Sequence, residues 1–399
     1  MDAVEGGERG VGRDLERWLL PDGVEDVLPE QARALEHLRR RCLDLYAAHG
    51  FDLVIPPLLE FRASLLTGVG QDLALSTFTL VDQASGHQLG LRADMTPQVA
   101  RIDAHGRPLT GVARYCYAGI VLQARRRALG DRRCQMQMGC EIFGHAGGAA
   151  DREILSLTLQ SLQLAGCQRV VLELGHAGIL RALLSGSLPR ERSEQLFAML
   201  QRKAKPEIAA ALVDEPQLRD LLLALVDGAG DRSVLSHARR LAVDVPAMQP
   251  ALDELEHACA HIERHFPAVQ IYIDLSELRG YRYHTGLIFA AYVEGGHVEV
   301  AKGGRYDDVG QAFGRARPAT GFSLDLLSLS AFSALAAGLI WAPSDEDAEL
   351  LALIDHLRRS GERVLRALPE ETPIDAKMRG LDRRIDKVAG RWVVQPWHS

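Results

Sequence analysis

The stretch from Gln88 to Gly144 constrains the fold of this chain more than any other part of the sequence. Two of its segments, YCYAGIVLQ and RCQMQMGCEIFG, have the residue types of strands, and the polar segment RRRALGDRR connects them. This order predicts a β-hairpin with a long loop. Asp151 then predicts the N-cap of a helix that runs to Gly166. Strand-like segments return at VQIYIDL, GLIFAAYVEGG and HVEVAKGG without a regular alternation of strand and helix. The pattern therefore predicts an α+β fold built on an antiparallel sheet.

The 399 residues are too many for one ordinary hydrophobic core, and we divide them into three parts. Residues 1–20 predict a flexible N-terminal arm. Residues 21–335 predict the core, with a helical insertion over about 190–266, where leucine-rich amphipathic segments occur without a convincing strand. After the polar segment WAPSDEDAE, residues 345–399 predict a small C-terminal α/β domain.

Composition excludes several classes of function. The net charge of −7, from 46 basic and 53 acidic residues, argues against a dedicated nucleic-acid binder. The six cysteines form no C-x-x-C pair, so we expect reduced thiols in a cytoplasmic protein and no metal site. No segment approaches the roughly 20 apolar residues that span a bilayer, and the N-terminus lacks the apolar core of a signal peptide. Dinucleotide and P-loop motifs are missing from the sequence, and we predict no cofactor.

Five segments, in order, resemble the histidyl-tRNA synthetase family of class II aminoacyl-tRNA synthetases. They are HGFDLVIPPLLE for motif 1, LRADMTPQVAR for a substrate block, YAGIVLQARRRALGDRRCQMQMGCEIFG for motif 2, SELRGYRYHTGLIF for the histidine-specific block and GGRYDDVGQAFGRARPATGFSLDLL for motif 3. The resemblance covers residues 20 to 330 approximately. It implies a six-stranded antiparallel sheet flanked by helices, and a homodimer that forms through the motif 1 region.

The positions that hold ATP in the family are altered in this chain. The family's phosphate-binding arginine and nucleotide-binding glutamate of motif 2 correspond to Gln123 and Arg125. A second phosphate-binding arginine corresponds to Asp131, and the arginine of motif 3 corresponds to Leu327. Loss of one electrostatic donor costs about 3 to 4 kcal/mol of transition-state stabilisation, so three losses should abolish adenylate formation. The resemblance therefore predicts a degenerate ATP site, no catalytic residues and a protein that is not an enzyme.

The positions that hold histidine in the family keep their chemistry better. They are Asp94, Thr96, Gln137, Glu141, Arg279, Tyr283 and His284. Each has a plainer interpretation: Asp94 could cap a helix at Thr96, His284 could be an ordinary half-buried histidine, and Gln137 and Glu141 could line a wet face of a strand. Their convergence at family positions favours a histidine-binding pocket.

An altered ATP site beside a retained amino-acid pocket resembles the regulatory subunits of ATP phosphoribosyltransferase. This resemblance implies a hetero-oligomer with a short-form catalytic subunit, with L-histidine as the effector of allosteric feedback in histidine biosynthesis. The C-terminal domain is too short for the family's anticodon-binding domain, which argues against tRNA as a partner. Two alternatives stay open: an active histidyl-tRNA synthetase, and a paralog with other ligase chemistry. The segment RRRALGDRR could be a solvated loop or a docking loop for the partner.

Overall fold

The computed structural model describes residues 18–68, 71–126, 131–184, 189–243, 245–277, 283–293, 299–333, 338–372 and 380–397. The chain divides into two compact units, of which the first ends at Ser333 and the second begins at Ala334. Most of the predicted N-terminal arm, and Arg279 of the predicted pocket, lie outside the described residues.

The strands of the first unit, in chain order, are β1 Asp52–Leu53, β2 Leu59–Phe61, β3 Phe78–Val81, β4 Gln88–Leu91, β5 Ala113–Leu122, β6 Cys134–Phe143, β7 Val170–His176, β8 Ala229–Gly230, β9 Gln270–Asp274, β10 Leu287–Val293, β11 Glu299–Arg305 and β12 Ala319–Asp325. Its helices are α1 Pro29–Ala48, α2 Arg62–Leu65, α3 Gln71–Ser76, α4 Thr96–Arg101, α5 Gly148–Leu164, α6 Ala177–Leu184, α7 Arg190–Gln201, α8 Lys205–Ala211, α9 Pro216–Asp227, α10 Ser233–Leu241, α11 Gln249–His265 and α12 Leu326–Ser330. A π-helical turn covers Ile102–Gly106, and 3₁₀ turns cover Pro246–Met248 and Val309–Phe313.

The main sheet has nine strands in the order β1-β5-β6-β12-β11-β10-β7-β9-β8. The six consecutive strands from β5 to β7 pair antiparallel, which confirms the predicted antiparallel sheet. β5 and β6 form the predicted hairpin, paired from Ala113↔Phe143 to Leu122↔Cys134. Parallel partners are added outside this set, β1 beside β5 and β9 beside β7.

Long helices cover the apolar face of the main sheet. Pro29 begins α1 at a position where its missing N–H costs nothing, and Gly50 follows the helix end with a φ of +79°. Tyr46 of α1 is fully buried, and its hydroxyl lies 2.8 Å from the hydroxyl of Ser161 on α5. Because the Tyr46 ring also meets Phe322 edge to face at 6.0 Å, one side chain ties both helices to strand β12.

Two expectations for this unit are wrong in detail. The region predicted to be a helical insertion carries helices α7 to α11, but it also contains the two-residue strand β8, which pairs with β9. Asp151 does not cap α5, because the helix begins at Gly148 with Gly147 as its N-cap. The Asp151 side chain is buried instead and pairs with Arg305.

A small sheet in the order β2-β4-β3 follows the motif 1 segment. Large apolar side chains on this segment and sheet are exposed, notably Ile55 at 80%, Phe61 at 55% and Val81 at 66%. The described residues contain no helix that is both long and apolar enough to cross a membrane. All six cysteines are free thiols, and five of them are buried.

The second unit has strands β13 Leu339–Ala342, β14 Arg363–Arg366, β15 Leu381–Val388 and β16 Arg391–Pro396, with helix α13 Ala348–Arg359. The strand order is β14-β13-β15-β16. Its core is formed by Ile340, Leu350, Ile354, Val364 and Ile385, so α13 packs on one face of this sheet.

Candidate functional site

Glu141 on β6 is the centre of a buried group of hydroxyls. Its Oε1 accepts hydrogen bonds of 3.0 Å from the Thr96 hydroxyl at the start of α4 and from the Tyr117 hydroxyl on β5. Its Oε2 accepts a hydrogen bond from the Tyr306 hydroxyl, just after β11. The Glu141 residue is 1% exposed. Four separate elements of the chain therefore position one carboxyl group.

A glycine on the neighbouring strand makes room for this carboxyl group. Gly321 on β12 pairs with Glu141 in the sheet. A Cβ at Gly321 would lie 1.5 Å from Oε2 of Glu141, so no other residue fits while the carboxyl group keeps its position.

No arginine or lysine among the described residues contacts the Glu141 carboxyl group. Burial raises the pKa of Glu141 well above its usual range, against the lowering effect of the hydrogen bonds from Thr96 and Tyr117. A buried carboxyl group with only hydroxyl donors gains from a ligand that brings an N–H group or a positive charge.

Asp94 and Gln137 hold each other at the side of this group. Oδ1 of Asp94 accepts hydrogen bonds of 3.0 Å from the Gln137 amide and from the backbone N–H of Thr96. Oε1 of Gln137 accepts the backbone N–H of Met95 at 2.8 Å. Asp94 thus supports the start of α4, as the plainer interpretation proposed, and also fixes Gln137. No donor among the described residues bonds its second oxygen, Oδ2.

Tyr283 and His284 lie beside this cluster and differ in character. The Tyr283 ring stacks on Tyr306 with centroids 4.9 Å apart, and its buried hydroxyl has no hydrogen-bond partner among the described residues. The His284 Nδ1 lies 3.3 Å from the carbonyl oxygen of Arg305, and burial lowers the pKa of His284 to about 4. Tyr283 therefore offers a free hydrogen-bonding group, whereas His284 is a neutral imidazole that already contacts the backbone.

The structure brings together Asp94, Thr96, Gln137 and Glu141 of the predicted pocket, with Tyr283 and His284 next to them. Sequence reasoning missed Tyr117 and Tyr306, which donate directly to Glu141. The sequence gives no local signal for either tyrosine. Tyr117 shares a face with Gln137 and Glu141 only through its pairing with Gly139 in the structure.

The positions of the predicted ATP site differ in their exposure to solvent. Gln123 is 8% exposed and its backbone N–H bonds the carbonyl of Arg133. Leu327 is 4% exposed and belongs to the main apolar core. Arg125 is exposed and Asp131 is half-buried. Leu327 cannot contact a ligand without leaving the core.

Two arginines of the motif 2 loop form ion pairs with acids of the N-terminal segment. Arg126 pairs with Asp22, and Arg132 pairs with Glu25. The backbone N–H of Arg133 bonds the carbonyl of Gly23 at 2.8 Å, and its guanidinium lies 4.9 Å from the ring centre of Phe78. These contacts hold the described ends of the loop against the N-terminal segment, at positions that remain partly exposed to solvent.

One acidic group elsewhere has metal-ligand spacing. Oxygen atoms of Glu173, Asp274 and Glu277 lie within 4.8 Å of one another. Lys203 already pairs with Asp274 at 2.5 Å, and Ser276 bonds the other Asp274 oxygen. Asp274 is thus satisfied by protein groups.

Two family models match the chain. The model described as histidyl-tRNA synthetase matches residues 23–329, and the model described as ATP phosphoribosyltransferase subunit HisZ C-terminal domain matches residues 337–395.

Relatives named ATP phosphoribosyltransferase regulatory subunit are similar over nearly the whole length. The protein of Chromohalobacter salexigens is 48% identical over 388 residues, which are 96% of this chain and 98% of the relative. The protein of Ectopseudomonas mendocina is 47% identical over 392 residues, which are 96% and 99% of the two chains.

Two solved structures are similar in fold. One is described as an ATP phosphoribosyltransferase regulatory subunit/histidyl-tRNA synthetase from Bacillus halodurans, with a TM-score of 0.78, 25% identity and coverage of 91% of this chain and 96% of that chain. The other is a histidyl-tRNA synthetase from Nostoc sp. PCC 7120, with a TM-score of 0.77, 18% identity and coverage of 95% and 97%. The predicted class II synthetase-like fold is confirmed.

Proposed function

Because the chain belongs to the family of ATP phosphoribosyltransferase regulatory subunits, we propose that it binds L-histidine at Glu141 and passes this signal to a short-form catalytic subunit. Its function is that of a regulatory subunit of ATP phosphoribosyltransferase in histidine biosynthesis. The effector, its site and the form of the partner are the parts that we propose. The free thiols agree with the cytoplasmic location that we expect.

One observation carries the effector proposal: Glu141 is buried among hydroxyl donors, and no arginine or lysine in the described part of the chain contacts it. The imidazole of histidine supplies an N–H group for this carboxyl group. Its ammonium group matches Oδ2 of Asp94, and Tyr283 offers a further hydroxyl. By family position, Arg279 would take the carboxylate.

We also propose that the subunit forms no aminoacyl adenylate. The burial of Gln123 and Leu327 supports this, since neither offers a cation to a phosphate group. Purified protein with histidine, Mg-ATP and labelled pyrophosphate should give no exchange above blank, with an active histidyl-tRNA synthetase as the parallel control. Robust exchange would restore the enzyme alternative.

The proposed partnership is tested by mixing the chain with a purified catalytic subunit. Combined with a short-form catalytic subunit, the chain should co-elute as a larger complex, raise turnover and make it sensitive to histidine. No tRNA is expected to bind. Separate elution with unchanged turnover at micromolar concentrations would contradict the proposed partner.

We further propose a homodimer through the motif 1 segment, supported by the exposed apolar side chains of Ile55 and Phe61. Ile55→Asp should shift the sedimentation coefficient to that of a monomer. Val213→Asp is the matched control, because Val213 is 65% exposed but lies in the helical region. Equal behaviour of both variants would place any self-association elsewhere.

A further inference from the structure

A second cleft lies between the first turn of α5 and the middle of α11, with a volume of about 110 Å³. Its polar walls are Asp151, Arg152, Glu254 and His257, and its apolar walls are Ala258 and Leu287. None of these residues belongs to the group around Glu141, so the cleft is a separate site.

Both acids of the cleft already have protein partners. Oδ2 of Asp151 accepts hydrogen bonds from Nε and Nη2 of Arg305 at 3.1 and 3.0 Å. Glu254 lies 2.9 Å from Nε2 of His176. The other ring nitrogen of His176 accepts the backbone N–H of Gly178, so Nε2 carries the hydrogen and donates to Glu254.

Arg152 has no such partner. Its guanidinium makes no hydrogen bond and no ion pair with any described residue, although the residue is half-buried. Arginine presents a planar set of donors that matches a carboxylate in two parallel hydrogen bonds. The cleft therefore offers an unused carboxylate-binding group.

The cleft also offers an accessible acid. Oδ1 of Asp151 is buried and lies 3.0 Å from the Arg305 guanidinium, so Arg305 neutralises this carboxylate. Glu254 keeps 46% of its side chain exposed. An arginine and an exposed carboxylate in one cleft fit a ligand that carries both charges.

We propose that this cleft binds a zwitterionic α-amino acid. The ligand carboxylate bonds Arg152, its ammonium group bonds Glu254, and its side chain lies over Ala258 and Leu287 next to His257.

The test uses the full chain with Glu141→Ala, which should abolish histidine binding at the pocket around Glu141. Calorimetry with millimolar L-histidine and, separately, glycine should show one saturable site for each probe. Arg152→Gln in this background should weaken binding at least tenfold. Arg264→Gln is the control, because Arg264 is an exposed arginine of α11 outside the cleft, and it should leave binding unchanged. Histamine, which lacks the carboxylate, and imidazolepropionate, which lacks the ammonium group, should each bind at least tenfold more weakly than L-histidine.

Three results would overturn the proposal: no binding of either probe, equal binding by the Arg152→Gln and Arg264→Gln chains, or histamine binding as tightly as L-histidine. An unchanged thermal midpoint shows that the Arg152→Gln chain is folded. Arg152→Lys is a second variant, which keeps the positive charge but loses the planar pair of donors. It should weaken binding by an intermediate amount. The difference in histidine binding between the native chain and the Glu141→Ala chain measures the first pocket alone, and the proposed function rests on that pocket. Failure of one site is therefore distinguishable from failure of the other.

Discussion

The pocket around Glu141 and the motif 2 loop both gather charged side chains, but in opposite environments. Glu141 is 1% exposed and is surrounded by neutral hydroxyl donors. In the loop, Arg126 and Arg132 pair with acids whose side chains are 85% and 50% exposed. Water screens the second set and not the first. The contacts of Glu141 therefore fix the geometry of the proposed histidine pocket, whereas the loop pairs contribute little energy and mainly arrange the chain.

The largest effect is expected from Glu141→Ala. Removal of the carboxyl group leaves three hydroxyls without their acceptor and removes the group that we propose to bind the imidazole. Loss of one partner of a buried charged contact costs about 2 to 5 kcal/mol, so histidine binding and feedback inhibition should weaken at least tenfold. Calorimetry and inhibition curves of the complex measure both. Glu25→Ala in the loop region is the control and should change neither. An unmoved inhibition curve for Glu141→Ala would locate the effector site elsewhere.

Gly321→Ala should give a comparable loss of histidine binding while all polar groups are kept. The added methyl group would overlap Oε2 of Glu141 and force the carboxyl group out of its position. Overpacking of this kind costs about 1 to 3 kcal/mol of unfolding free energy. Gly111→Ala is the matched control, since no atom lies within 4 Å of a Cβ placed there. Normal binding and stability of the Gly321→Ala chain would show that the Glu141 side chain has another stable position.

A pH-dependent effect is expected from His284. Burial lowers the pKa of His284 from 6.5 to about 4, so the unfolded chain binds a proton more readily than the folded chain. The stability from this neutral imidazole is fully present above pH 6.5 and is lost as the pH falls toward 4. His284→Gln should therefore reduce the fall of the thermal midpoint between pH 7 and pH 4. Parallel curves for the two proteins would assign the acid sensitivity to other groups.

The smallest effect is expected in the loop region. Asp22→Asn removes one exposed ion pair with Arg126, and such pairs contribute about 0.2 to 1 kcal/mol of unfolding free energy. The difference should shrink further at high salt, as chemical denaturation at two ionic strengths would show. A loss as large as that of Gly321→Ala would mean that the N-terminal segment is a structural part of the core and not a surface contact.

The hairpin β5–β6 could be predicted because its information is local. Residue types, segment lengths and the polar connection all occur within one stretch of sequence, and the four-residue spacing places Gln137 and Glu141 on one face. Strand β8 could not be predicted, since a strand of two residues is too short to show an alternation of apolar and polar side chains.

Two of the three donors to Glu141 depend on tertiary structure that no local pattern encodes. Tyr117 and Tyr306 approach it from other strands, and Gly321 matters only through its position opposite Glu141. Asp151 shows the same limit, because its type suggests a helix cap and its buried partner Arg305 is more than a hundred residues away. Family resemblance identified Glu141, but only packing shows why its neighbours are tyrosine and glycine.

The position of β6 between β5 and β12 also affects how the protein is made. Phe143 of β6 pairs with Ala113 early in the chain and with Ala319 far along it. At a synthesis rate of about 5 to 20 residues per second, Glu141 leaves the ribosome on the order of ten seconds before Gly321. During that interval one edge of β6 has no strand beside it, and an open edge is a site for pairing with other chains. The nascent subunit therefore passes through a period in which this edge is open and in which the proposed histidine pocket is not yet complete.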